Sequence, residues 1–327
     1  MVLEEQIQLF CLNLIKTNLK KIFLLFISII TIYIIYFFHF QRFNYEENLM
    51  IPKGTSFTQI SYKILNNENF IEKNLYILYL RIWDKYINKI DYGEFKLYSN
   101  INLINITKII SNPSNVFYKF TIVEGWQKYQ LEELFEKKFN KRINLDYMDI
   151  IAETYFYNSS DSVEKIISLM KNTKNNFFIN HKNNFLLKKF SINDILIIAS
   201  LVEKEGLDFE DKKLISSVIF NRLEKGMKLQ IDATTIFSIT KGRNKLNKKL
   251  KISDLKIVDK YNTYHIYGLP PNPICYVGPK TIEIVLENYK SDYLFYFFNE
   301  RLKKHIFSIT FNEHKDKLQK YRNINEK

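Results

Sequence analysis

Cysteine is scarce, with two in 327 residues, Cys11 and Cys275. A long apolar run separates them, so a bridge between them would have to cross a bilayer, and each is expected as a free thiol. There are five histidines and no HExxH or CxxC spacing, so neither a metal nor a cofactor is expected. His305 and His314 have no third ligand beside them. Motifs of the homeodomain, zinc-finger and RNP kinds are missing too. The net charge of +13 would ordinarily suggest a polyanionic partner. Here the lysines are scattered among asparagines, in a chain crowded with Ile, Phe and Tyr as AT-rich codons produce, and no nucleic-acid partner is expected.

Charge itself is absent from Ile22 to Phe38 (IFLLFISIITIYIIYFF). At about 1.5 Å per residue this run, extended by His39 and Phe40, reaches most of a hydrocarbon core of roughly 30 Å. The run is long for a signal peptide, and HFQRFNYEE offers no small-residue cleavage site. An uncleaved single-pass anchor over 22–40 is expected. Lys16, Lys20 and Lys21 crowd its N-terminal edge, whereas Glu46 and Glu47 follow Arg42. The positive-inside rule then puts a tail, 1–21, in the cytoplasm and the bulk of the chain on the far side of the inner (plasma) membrane.

The outer part is long enough for two or three small domains, and its patterning is α+β. Pro52, Lys53 and Gly54 make a turn, after which Thr55 or Ser56 can cap a helix with apolar spacing at Ile60, Ile64 and Leu65. The phrase FTIVEGWQKYQLEELF repeats the arrangement around Gly125, a loose internal echo. A short strand near Phe95 to Tyr98 and a further helix lie between the two phrases. Boundaries follow as a first α+β module over 45–120, a second small module and connection over 121–185, and a C-terminal α+β domain over 186–327.

Within SINDILIIASLVEKEG, Ser191 is a candidate N-cap, with Asp194 three residues on. At about 100° per residue Ile195, Ile198, Leu201 and Val202 share one arc, and Glu205 continues it, while Ser200 and Lys204 fall on the polar side. Gly206 ends the helix. Desolvation and the negative end of the helix dipole both push the Glu205 carboxyl upward. A carboxylic acid still protonated near neutrality is what glycosidic cleavage requires. The alternative is a glutamate at a frayed helix end, paired with Lys204, Lys212 or Lys213.

Taken in order, IIASLVEKEG, SSVIFNRLEKGMKLQIDATTIFSI, YNTYHIYGLPPNPI, YLFYFF, HIFSITF and NEH resemble the endolytic murein transglycosylase family, YceG-like or MltG. The IPKG and VEGW phrases resemble its small, LysM-like membrane-proximal modules. The resemblance implies a lyase that cuts the β-1,4 bond between N-acetylmuramic acid and N-acetylglucosamine in peptidoglycan strands and leaves 1,6-anhydro ends. Peptidoglycan strands and the membrane are the expected partners, with the glycan polymerases of wall synthesis as a further candidate. Glu205 matches the catalytic glutamate. Glu203, Asn221, Arg222, Gln230, Asp232, Tyr261, Asn262, Thr263 and Tyr264 match blocks that line the sugar cleft. The chain departs from the usual Asp-Pro at Asp232 and Ala233. A non-catalytic glycan-binding scaffold, and a muramidase using Asp232 as second carboxylate, remain as other readings.

Overall fold

A computed structural model describes the backbone of residues 2–323 and the side chains of residues 16–321; Cys11 therefore lies outside the described side chains. The chain divides into two compact units, Met1–Tyr118 with Tyr157–Asp161, and Lys119–Phe156 with Ser162–Lys327. It is a mixture of helices and short two-stranded sheets.

The first unit opens with helix α1 (Val2–Ile35), prolonged by a π-helical turn over Tyr36–Phe40. The stretch Lys16–Phe40 is long and apolar enough to span a membrane. Its side chains are exposed as far as Tyr36, after which Phe37 and Phe38 are buried within the unit. Strand β1 (Leu49–Ile51), helices α2 (Phe57–Ile64) and α3 (Phe70–Tyr86), and strand β2 (Gly93–Phe95) follow, with β1 and β2 antiparallel and Leu49 opposite Phe95. Helix α4 (Leu103–Ile110) completes the unit. Of the two candidate caps, Ser56 starts α2, in a reciprocal capping box with Gln59; Asn69 and Glu72 do the same for α3. These side chains satisfy N–H groups that a helix start leaves unpaired. Phe37, Ile51, Ile60, Leu65, Tyr76, Leu80, Phe95 and Ile106 form the core. The strand expected near Phe95 to Tyr98 lies earlier, at β2, because its partner β1 is only three residues long.

Strand β3 (Tyr118–Thr121) pairs with β4 (Thr154–Tyr157), and α5 (Lys128–Phe139), in the second unit, lies between them in sequence. Gly54 and Gly125 both have positive φ, 85° and 79°, so the two turns share a conformation that suits glycine. The likeness is local, since two helices separate β1 from β2 whereas one separates β3 from β4. Helices α6 (Val163–Asn180) and α7 (Leu186–Lys189) lead to α8 (Ile192–Glu205), α9 (Phe209–Glu224) and α10 (Asp232–Thr240). After α11 (Pro279–Glu287) a hairpin of β5 (Phe295–Asn299) and β6 (Lys304–Ser308) is packed by α12 (Phe311–Asn323).

Helix α8 is the centre of this unit, packed by α9, α10 and α11. It is buried on every side from Ile195 to Val202, rather than along one arc. The expectation that Ser200 faces water is therefore corrected. Ser200 is fully buried, its hydroxyl donating to the Ile197 carbonyl at 2.8 Å and accepting from the Ile274 N–H at 3.0 Å. Those two bonds offset the cost of burying a hydroxyl in an apolar core. Cys275 is buried as a free thiol, and burial pushes its pKa up.

Candidate active site

Glu205 is the last residue of α8, whose other end is fixed by the Ser191–Asp194 capping box. The chain turns at once, with the Gly206 N–H donating to the Val202 carbonyl at 2.8 Å. A Cβ on Gly206 would stand 2.3 Å from Cγ of Lys212, so glycine lets α9 approach closely. The Glu205 side chain is half-buried by accessible surface yet so surrounded by protein that burial lifts its pKa to about 7. Burial is the largest cause, and the negative charge of Asp232 adds to it. The Ala233 N–H, His305 and Tyr296 pull the other way. The Tyr296 hydroxyl donates to Oε2 of Glu205 at 3.4 Å. These groups give one carboxyl access to both protonation states near neutrality.

Around it, the Tyr264 hydroxyl donates to Oδ1 of Asp232 at 2.7 Å. Asp232 is exposed in the first turn of α10, where the positive end of the helix dipole favours a carboxylate. Gln230, two residues earlier, is exposed with a φ of 51°, an uncommon conformation for a residue with a Cβ. On the hairpin side, Nδ1 of His305 lies 2.8 Å from Oδ2 of Asp211, and both side chains are nearly buried. The His305 ring meets Tyr296 edge-on, with 5.4 Å between centroids.

Other residues expected at a sugar cleft are placed as supports. Glu203 points its carboxylate at Lys212, 2.9 Å away, and accepts from the Thr281 hydroxyl. Arg222 is buried, donating from Nε to the Leu294 carbonyl at 2.6 Å and from a terminal nitrogen to the Leu229 carbonyl at 2.7 Å. It thereby joins α9 to the loops beside α10 and β5. The Asn221 amide donates to the carbonyls of Ser291 and Tyr293 at 2.7 and 2.9 Å. Asn262 and Thr263 are wholly buried. Asn262 uses its amide on the carbonyls of Leu255 and Ile257, and its oxygen accepts from Thr235. Thr263 accepts from the Ile231 N–H at 2.9 Å. These bonds hold the loop against the start of α10. Tyr261 lines a cavity of about 170 Å³ with Tyr147, Phe237, Lys128, Lys241 and Asn272.

The convergent set around Glu205 is thus Asp232, Tyr264, Tyr296 and His305. Neither Tyr296 nor Asp211, the partner of His305, was singled out from sequence. The first sits in a continuous aromatic-rich run, YLFYFF, that by itself marks no more than a strand.

The YceG-like family model matches residues 49–320. The chain belongs to this family. A Bacillus subtilis relative named endolytic murein transglycosylase is 28% identical over 310 residues, which cover 84% of each chain. A Streptococcus pneumoniae serotype 2 protein of the same name is 31% identical over 152 residues, 45% of this chain and 27% of that protein. A crystal structure of a YceG-like protein from Listeria monocytogenes shares 25% identity with a TM-score of 0.51, covering 84% of this chain and 99% of that one. The Ala233 N–H lowers the Glu205 pKa, a donor that a proline at this position could not supply.

Proposed function

We propose that this protein is a membrane-anchored peptidoglycan lytic transglycosylase with Glu205 as its acid and base. The observation that carries the reading is a single carboxyl raised to about 7 at the end of the most enclosed helix, among hydroxyl, N–H and imidazole groups. In its protonated form Glu205 gives its proton to the oxygen leaving C1 of N-acetylmuramic acid. As a carboxylate it then takes the proton from the C6 hydroxyl, whose oxygen closes on C1. The β-1,4 bond to N-acetylglucosamine is broken, a 1,6-anhydro ring is formed, and no water is consumed. Glu205 ends reprotonated. Asp232, at the start of α10, favours the protonated form of Glu205 before cleavage and the positive charge that develops on the sugar ring during it. The second carboxylate that flanks the bond in ordinary glycoside hydrolases is not required as a nucleophile.

The apolar stretch of α1 serves as the anchor, with the N-terminus cytoplasmic by the bias of Lys16, Lys20 and Lys21, and the rest periplasmic or external. The β-α-α-β order of the first unit suits a small LysM-like glycan-binding module beside the membrane. The working division is a first module over 45–120, a second over 121–185 and a catalytic domain over 186–327. Nascent strands would be cut before they mature, and elongation by the glycan polymerases would be terminated there.

Digestion of purified sacculi by the full chain in detergent, followed by mass analysis of the released fragments, tests the reading. Anhydro-muramyl ends that vanish with Glu205→Gln are the expected result. Reducing ends would make the protein a muramidase, and no release at all would leave a glycan-binding scaffold.

A further inference from the structure

The anchor leaves an imbalance in length. From Ile22 to Tyr36 every side chain of α1 is exposed, and these 15 residues extend ~22 Å, short of the roughly 30 Å hydrocarbon core. Phe37 and Phe38, at 0% and 8% exposure, are unavailable to lipid: the unit's own Tyr76 and Tyr79 pack on Phe38, and Phe38 meets Phe37 edge-on. Helix α3 runs beside this end of the anchor. The Tyr33 hydroxyl donates to Oε1 of Glu72 at 2.7 Å, so the first turn of α3 stands level with a residue inside the exposed span. That turn presents Phe70 and Ile71, 71% and 67% exposed.

On the helical projection of α3, Ile71, Leu75, Leu78 and Ile82 form one stripe, with Arg81 and Lys85 along its border. Apolar residues in the first turn, with the basic Arg81 about 15 Å further along, suit a helix that leaves the membrane from its N-terminal end. Glu72 is 7% exposed, and its second oxygen accepts from the Asn69 N–H at 3.2 Å. Glu68 beside it is half-buried and accepts from the Gln41 amide at 3.3 Å. Both carboxyl groups are kept from lipid by partners of their own.

We infer that the first turn of α3 is immersed in the leaflet through which the anchor exits, with Phe70 and Ile71 among the lipid chains. The inference rests on α1 spanning the membrane. Phe70 and Ile71 then make up the apolar length that the anchor lacks. The membrane-proximal unit is held on the bilayer surface by two elements, so it cannot swing freely about one tether.

Spin labels on the full chain in phospholipid vesicles test this, using Cys11→Ser and leaving the buried Cys275 in place. Labels at Phe70→Cys, Ile71→Cys, Ile30→Cys and Ile87→Cys are compared for relaxation by oxygen, which enters lipid, and by a nickel chelate, which stays in water. Ile87 is 63% exposed but lies ~24 Å along α3 from Ile71. The expected result is a severalfold higher oxygen-to-nickel ratio at 30, 70 and 71 than at 87. A ratio at 70 and 71 as low as at 87, with 30 still lipid-like, overturns the inference and leaves the anchor intact. A water-like ratio at 30 overturns both. Labels at 70 and 71 that neither reagent reaches would mean a protein partner or a second copy, and would also overturn it.

Discussion

Asp232→Asn isolates the electrostatic part of the site. The Glu205 carboxyl is raised from the ordinary 4.5 to about 7, first by burial and next by the Asp232 charge. Asparagine preserves size and can still accept from Tyr264, so the substitution removes the charge and little else. Losing a like charge at close range is expected to lower the Glu205 pKa by about one pH unit, ~1.4 kcal/mol between the two protonation states. At pH 7 the protonated fraction falls from about one half to about one tenth, a loss of roughly fivefold in kcat/KM if chemistry needs the acid. Two pH units lower, both forms are mostly protonated and the difference nearly disappears. The assay is the pH profile of kcat/KM on soluble glycan strands, followed by the appearance of anhydro ends. An acidward move of the alkaline limb supports the reasoning. An unmoved limb, or equal loss at every pH, refutes it, the latter by giving Asp232 a direct part in bond cleavage.

Ala233→Pro removes an N–H that favours the Glu205 carboxylate, at a first-turn position where proline is tolerated; the alkaline limb of the same profile should move to higher pH. Glu205 binds its proton more tightly in the folded chain than in the unfolded one, so its contribution to stability falls as pH rises from about 4.5 through 7. Glu205→Gln should therefore be inactive yet more stable than the wild type above pH 7, by up to ~3 kcal/mol in urea titrations, and equal to it near pH 4. Glu203→Gln leaves the nearly buried Lys212 without its counter-charge and should cost about 3–5 kcal/mol, read as a drop in Tm. Where that variant remains folded, it should still cut with an unchanged pH profile. Ile198→Ala, in the buried middle of α8, should cost about 2–5 kcal/mol.

Local features of α8 were legible in the chain. Ser191 and Asp194 announce the start of the helix, Gly206 announces its end, and 3.6-residue spacing places Glu205 toward the core. The direction of its pKa followed from desolvation, which needs no knowledge of neighbours. What spacing could not supply is the far side of the site. Tyr296 lies 91 residues from Glu205 and His305 lies 94 from Asp211, and only the packing of the β5–β6 hairpin brings these pairs together. Ser200 was misplaced for a related reason. A polar residue on a helix wheel reads as solvent-facing, and its burial becomes affordable only because Ile274, 74 positions away, presents an N–H. Asn262 and Thr263 illustrate the converse. Their positions near the site were readable, but their hydrogen bonds direct them inward, to the start of α10, the helix that opens with Asp232.

Gln230 bears on what laboratory selection would do to this protein. Its left-handed backbone, φ 51°, disfavours any residue with a Cβ by about 1 kcal/mol, and glycine would adopt it freely. A library screened for heat resistance alone should thus collect glycine at 230. The same library screened for glycan cutting should retain a side chain there if the exposed amide meets the sugar. The divergence of the two harvests at this one codon would measure what the amide is worth to the substrate.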